Sequence, residues 1–154
     1  MGSEMCIRDS LKVWGIDNII VEGLPNLAIN IAAIKSNLKA DQWLIITRPN
    51  NPTGECIDDE VLVDLIQAAK NKGANVFLDE AYVEFYITNK EIEYALAYDN
   101  VVSLRTFSKA YGLAGIRLGY AIGAPYLIEA LDKVRLPFEP VSYTHLTLPT
   151  IYSV

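Results

Sequence analysis

Three short apolar runs limit what this chain can fold into: Trp43-Leu-Ile-Ile-Thr47, Asn75-Val-Phe-Leu-Asp79 and Val101-Val-Ser-Leu-Arg105. Their apolar residues are near-continuous rather than alternating, as expected of parallel strands buried on both faces. Between the first two, Asp58-Asp-Glu60 places acids at the positive end of a helix. Val61, Leu62, Leu65, Ile66 and Ala69 then recur at helical spacing, and Lys70, Lys72 and Gly73 close the helix. A short helix is expected at Glu91–Ala97, ahead of the third run. Further on come a strand at Arg117–Ile122 and a helix from Pro125, a favoured first helical residue, to about Val134. Upstream, Asn18-Ile-Ile-Val-Glu22 reads as a strand or its end. Leu27–Ile34 reads as a helix packed on a sheet, with Asn26 as its candidate N-cap. Strand alternating with helix predicts an α/β fold with a largely parallel sheet.

The two ends are related in a way that folding does not require. Met5-Cys-Ile-Arg-Asp9 can be written ATG TGT ATA AGA GAC, whose reverse complement, GTC TCT TAT ACA CAT, reads Val-Ser-Tyr-Thr-His, the residues at 141–145. An inverted repeat flanking the coding segment accounts for the match, and both pieces resemble a translated sequencing adapter. Residues 1–10 and 141–154 are therefore expected to be non-native, leaving 11–140 as the genuine segment, cut at both ends. The sole histidine, His145, then falls outside it.

The remaining segment carries twelve Lys and Arg against seventeen Asp and Glu, a balance of −5. That argues against nucleic acid as a partner, since such binders show a basic face. No run of eighteen apolar residues and no signal peptide is present, so no membrane association is expected and the location is read as cytoplasmic. Two cysteines and one histidine are too few for a disulfide framework or a Cys/His zinc site, and no metal is expected.

In open parallel sheets ligands bind at the carboxyl ends of the strands, and Asn51, Asp79 and Lys109 fall there. Lys109 follows Ser108 and has Phe107, Ala110, Leu113 and Ala114 around it, neighbours expected to desolvate its amine. A desolvated amine forms a Schiff base with an aldehyde cofactor, although a buried loop with a snorkelling lysine fits the same stretch. Ser108 and Arg117 suit a phosphate, one a hydroxyl donor and the other a planar charged fork. Lysine beside a phosphate cradle is the minimal constellation for pyridoxal 5′-phosphate (PLP). Gly112, Gly115 and Gly119 keep the intervening backbone uncrowded, and their spacing is not that of a dinucleotide-binding loop. Asp79 ends an apolar strand, where it either caps the next turn or holds a pyridine nitrogen protonated. Tyr82 is either a core tyrosine or a hydroxyl aimed at the ring's phenolic oxygen. Asn51 offers an amide to that oxygen or simply serves its Asn-Pro turn.

Taken together, Arg48-Pro-Asn-Asn-Pro-Thr-Gly54, Asp79-Glu-Ala-Tyr-Val-Glu-Phe85 and Arg105-Thr-Phe-Ser-Lys-Ala-Tyr-Gly-Leu-Ala-Gly-Ile-Arg-Leu-Gly-Tyr120 resemble the fold-type I, PLP-dependent class I/II aminotransferases. Within that family the wording is most similar to the histidinol-phosphate aminotransferases. The resemblance implies a three-layer α/β sandwich with a mostly parallel sheet, of which 11–140 is part of the large, PLP-binding domain. It implies that Lys109 carries the cofactor and shuttles the α-proton, that Asp79 pairs with the pyridinium, and that Asn51 and Tyr82 bind the phenolic oxygen. Ser108, Arg117 and Thr106 would hold the phosphate. An amino donor and a 2-oxo acid acceptor are the implied small-molecule partners, and the parent would be a homodimer. An aromatic amino-acid aminotransferase or a threonine-phosphate decarboxylase is the alternative within the family. A non-catalytic α/β binding module is the alternative outside it.

Overall fold

The computed structural model describes residues 9–25, 28–86 and 91–134. Asn26, Leu27 and His145 lie outside them, as do residues 1–8 and 141–154 of the terminal segments. Strands β1 (Trp43–Thr47), β2 (Asn75–Asp79), β3 (Val101–Thr106) and β4 (Gly119–Gly123) form one sheet in that spatial order. The first three are parallel, with Leu44 beside Val76 and Val76 beside Val101. β4 returns antiparallel, with Thr106 against Gly119. Helices α1 (Ile31–Asn37), α2 (Asp59–Asn71), α3 (Glu91–Ala97) and α4 (Pro125–Val134) accompany the strands, and residues 9–13 are also helical.

The steps from β1 to β2 to β3 run in one direction, and parallel crossovers share one hand, so α2 and α3 must fall on the same face of the sheet. They do. A single core cluster joins Ile34 of α1, Leu62, Leu65, Ile66 and Ala69 of α2, and Tyr94 and Ala95 of α3 to Ile46, Val76, Leu78 and Val101 of the strands. The strand members alternate, as a period of two requires. Asn100 binds the layers together, its Nδ2 donating to Ile66 O at 3.2 Å and Ala74 O at 3.3 Å.

Several expectations need correction. The opposite face of β1 is not buried among the described residues: Trp43 is 43% and Ile45 38% exposed, because α1, α2 and α3 all pack on the other side. Residues 18–22 form no strand. Ile19 and Ile20 are exposed there, and β-branched residues favour a strand only where a neighbour pairs with them. α1 starts at Ile31 rather than Leu27, because Asn30 is the cap: its Oδ1 accepts from Ala33 N at 3.1 Å. β4 starts at Gly119 rather than Arg117, whose φ of 57° is left-handed and outside strand geometry.

Candidate active site

β1 runs into the first candidate residue through a tightly bonded turn. Arg48 N donates to Asp79 O at 2.9 Å, so the turn leaves from beside the end of β2. Asn50 N donates to Glu55 O and Gly54 N to Asn50 O, both at 2.7 Å, and Asn50 Nδ2 donates to Thr53 Oγ1 at 2.9 Å. With both ends closed, Asn51 is presented at the carboxyl edge of the sheet. Its Nδ2 donates to the Tyr82 hydroxyl at 3.2 Å. Tyr82 follows β2 by one turn, just ahead of the 3-10 segment Val83–Phe85. The Lys109 amine stands 5.3 Å from the centre of the Tyr82 ring, within cation–π range. Tyr82 thus joins Asn51, from the turn after β1, to Lys109, from the segment after β3.

Asp79 is the last residue of β2, in register with Thr47 and Leu104. Its face of the sheet is opposite the packed helices. Burial pushes its carboxyl above the usual carboxylate range, partly offset by the Ala81 amide, which donates to Oδ1 at 3.1 Å. A half-buried carboxylate with one amide donor has acceptor capacity left for a cationic N–H.

The segment after β3 is shaped by its aromatic residues and by two glycines. Phe107 packs against Tyr111 and Tyr120, with ring centres at 5.3 and 5.6 Å, and Phe107 N donates to Leu118 O. Gly112 has a φ of +65°, and a Cβ on Gly119 would lie 2.7 Å from Arg105 O, so both positions need glycine. Gly115 meets neither condition. Ser108 N donates to Thr106 Oγ1 at 3.1 Å, which places these two hydroxyl residues together. Arg117 is exposed, and its Nη1 reaches Ala114 O at 3.5 Å. A non-glycine residue held in the left-handed region carries backbone strain, and such residues concentrate at functional sites.

One expectation about Lys109 fails. Ala110, Leu113 and Ala114 do not enclose its amine: they are exposed, and so is Lys109. The described ring that its amine meets is that of Tyr82.

Two charged residues given no role at the level of sequence are buried beneath the site. Arg48 is 2% exposed, paired with Asp59, bonded through Nε to Ile57 O at 3.2 Å, and stacked 5.6 Å over the Tyr94 ring. Glu80 is fully buried and accepts from Ser103 Oγ and, at 3.0 Å, from Arg105 Nε. A period-two reading past Asp79 would have turned Glu80 toward the helix-covered face, where a carboxylate needs partners. No group of potential metal ligands occurs among the described residues, and no described helix is long and apolar enough to cross a membrane.

The donor set matches the polar groups of PLP: a carboxyl for the ring nitrogen, an amide and phenol side by side for a ring oxygen, hydroxyls and a guanidinium for phosphate, and an accessible amine for the aldehyde. Comparisons with known proteins agree. The chain is 48% identical over 128 residues to a histidinol-phosphate aminotransferase of Lysinibacillus sphaericus, covering 79% of this chain and 33% of that protein. It is 50% identical over 98 residues to an aromatic amino acid aminotransferase of Mycobacterium avium, covering 62% and 27%. Among solved structures, histidinol-phosphate aminotransferase from Sinorhizobium meliloti in complex with pyridoxal 5′-phosphate superimposes with a TM-score of 0.67 at 32% identity, over 83% of this chain and 35% of that one. The chain thus spans about a third of the length of these proteins. The family model for aminotransferase class I and II matches residues 19–147, and the chain belongs to that family.

Proposed function

We propose that the protein from which this chain comes is a PLP-dependent aminotransferase that exchanges an amino group between histidinol phosphate and 2-oxoglutarate. The observation that carries the proposal is the meeting of Asn51, Tyr82 and Lys109 at the sheet edge where Asp79 ends β2. PLP, when bound, supplies an aldehyde and an electron-withdrawing pyridinium ring. The Lys109 amine would be the group that holds the cofactor through its aldehyde, and would move a proton at the substrate's α-carbon. The Asp79 carboxylate would keep the ring nitrogen protonated by pairing with its N–H. Because Asn51 Nδ2 donates to the Tyr82 oxygen, the phenolic proton is free to be aimed at the ring oxygen. Ser108, Thr106 and Arg117 hold the phosphate, the guanidinium by its forked donors.

The histidinol-phosphate reading is supported by the wording of the three motifs and by the long match to the Lysinibacillus enzyme. The Mycobacterium relative favours a second reading, transamination of aromatic amino acids. Acidic composition supports small-molecule partners over nucleic acid. A cytoplasmic homodimer is the state the family resemblance supports. Residues 1–10 and 141–154 we take as adapter-derived ends on the codon relation. The family match runs to residue 147, and the DNA test given below decides between the two.

The test is borohydride reduction of the full-length protein with PLP, followed by peptide mapping. The expected adduct is on Lys109, and an adduct on any other lysine refutes the assignment. Turnover with a phosphorylated imidazolyl ketone, compared with an aryl 2-oxo acid, then separates the two substrate readings.

A further inference from the structure

We propose that Glu80 is a positioning residue that sets where the Lys109 segment stands relative to Asp79. The inference rests on the reading of Lys109 as the cofactor-bearing lysine. Glu80 follows Asp79 directly, and its backbone N donates to Leu104 O at 2.9 Å, carrying the β2–β3 ladder one step past the strand. Successive side chains point to opposite faces. Asp79 therefore faces the site side of the sheet, and Glu80 is fully buried on the helix-covered side. There its Oε2 accepts from two residues of β3, Ser103 through Oγ and Arg105 through Nε.

The next links run outward to the site. Arg105 is opposite Tyr120 in the β3–β4 register. The Tyr120 ring packs on Phe107 at 5.6 Å, and Phe107 precedes Ser108 and Lys109. One carboxylate thus fixes the end of β3 against the end of β2, through charge-assisted bonds in a water-excluded setting where such bonds are strongest. Lys109 is itself exposed, and among the described residues its side chain meets only the Tyr82 ring. Loosening the end of β3 would therefore shift the amine relative to Asp79 without touching either residue.

The experiment uses the full-length protein and its Glu80→Ala and Glu80→Gln variants. Readouts are PLP affinity, amide hydrogen exchange of the cofactor-free proteins, and steady-state kinetics. Glu80→Ala is expected to weaken PLP binding by about tenfold, the scale of one lost hydrogen bond to a charged group. Its kcat should fall by roughly 10- to 100-fold, as misplacement by about an ångström does, with the KM for amino donor little changed. Faster exchange should be confined to residues 103–113. Glu80→Gln keeps an acceptor oxygen at the same reach and should restore PLP affinity to within about threefold of the parent, neutral bonds being roughly half as strong.

Wild-type affinity and unchanged exchange at 103–113 in Glu80→Ala, with only a lower Tm, would overturn the proposal, as would exchange raised evenly across the sheet. If Glu80→Ala does not fold, Glu80→Asp decides, since it keeps the charge but falls short by one methylene. A lowered kcat at unchanged KM supports positioning, and a wild-type kcat refutes it. If the parent itself forms its PLP adduct on another lysine, the functional reading fails first and this inference fails with it.

Discussion

Changing Asp79 to Asn should move stability and cofactor affinity in opposite directions. Burial holds the Asp79 carboxyl above its ordinary value near 3.8, the Ala81 amide only partly offsetting the effect. The folded chain therefore holds that proton more tightly than the unfolded chain does. Stability then falls as pH rises above about 3.8, and the full loss is present once pH exceeds the folded value. At pH 7 the ionised carboxylate opposes folding. Asn keeps an Oδ1 for the Ala81 N–H and removes the charge. Water still reaches this half-buried position, which limits the gain to about 0.5–1 kcal/mol, the low end of what relaxing an active site yields. For a chain of this size that is roughly 1–4 °C in Tm. The pairing with a pyridinium N–H changes the other way. A hydrogen bond to a charged group contributes about 1.5–3 kcal/mol, so its loss should weaken PLP binding roughly 10- to 150-fold. Thermal melts of the cofactor-free proteins between pH 7 and pH 4, with PLP titrations at pH 7, measure both effects. The stability gain should shrink as pH falls toward 4. A variant less stable than the parent at pH 7, or a difference constant with pH, would refute the electrostatic reasoning.

Asn100→Ala removes the donor to two carbonyls, Ile66 O and Ala74 O, in a position 4% exposed. It should cost about 2–4 kcal/mol, seen as a lower urea midpoint at unchanged m, and a loss under about 0.5 kcal/mol would show that water replaces the amide. Arg117→Lys should weaken PLP binding by about tenfold while leaving Tm unchanged, because an ammonium does not make the forked contact with phosphate. An equal Kd by fluorescence titration would remove Arg117 from the cradle. Amplifying source DNA across the codons for residues 10–11 and 140–141 should yield a different continuation on each side. Recovery of the same flanking codons would restore 1–10 and 141–154 to the protein.

What was legible in the sequence divides along a physical line. β1, β2, α3 and α4 begin and end where their residues alone placed them, because an apolar run of five between turn formers, or a proline at a first helical position, needs no distant partner to be read. Residues 18–22 carried a β-branched signal but meet no pairing strand among the described residues, and a strand exists only as half of a pair. That Asn30 caps α1 rests on its side chain meeting a free amide, which spacing does not specify. In the site, the order and identity of Asn51, Asp79, Tyr82, Ser108 and Lys109 were readable as chemistry. The environment of Lys109 was not, since apolar neighbours in sequence become a desolvating shell only if the backbone folds them inward. In this loop, left-handed at Gly112 and Arg117, it does not.

The buried charges explain why the edge of this sheet holds a fixed arrangement at all. Loop residues at a strand terminus are ordinarily the most mobile part of an α/β layer. Here each of two site-bearing turns begins at a buried ionic residue: Arg48 precedes Asn51, and Glu80 directly follows Asp79. Arg48 is anchored sideways to α2 through Asp59, to the turn before α2 through Ile57 O, and to α3 through Tyr94, while its backbone amide is bound to Asp79 O. Glu80 is anchored to β3. Apolar side chains of equal volume would contribute as much stability as such pairs, or more, because desolvation offsets most of the Coulomb gain. Apolar contacts, though, tolerate sliding, whereas a bonded guanidinium or carboxylate accepts few positions. The proposed site, which would hold a lysine, a carboxylate and an amide from three separate strand ends at one spacing, calls for that kind of contact, and both buried charges lie where those strand ends meet.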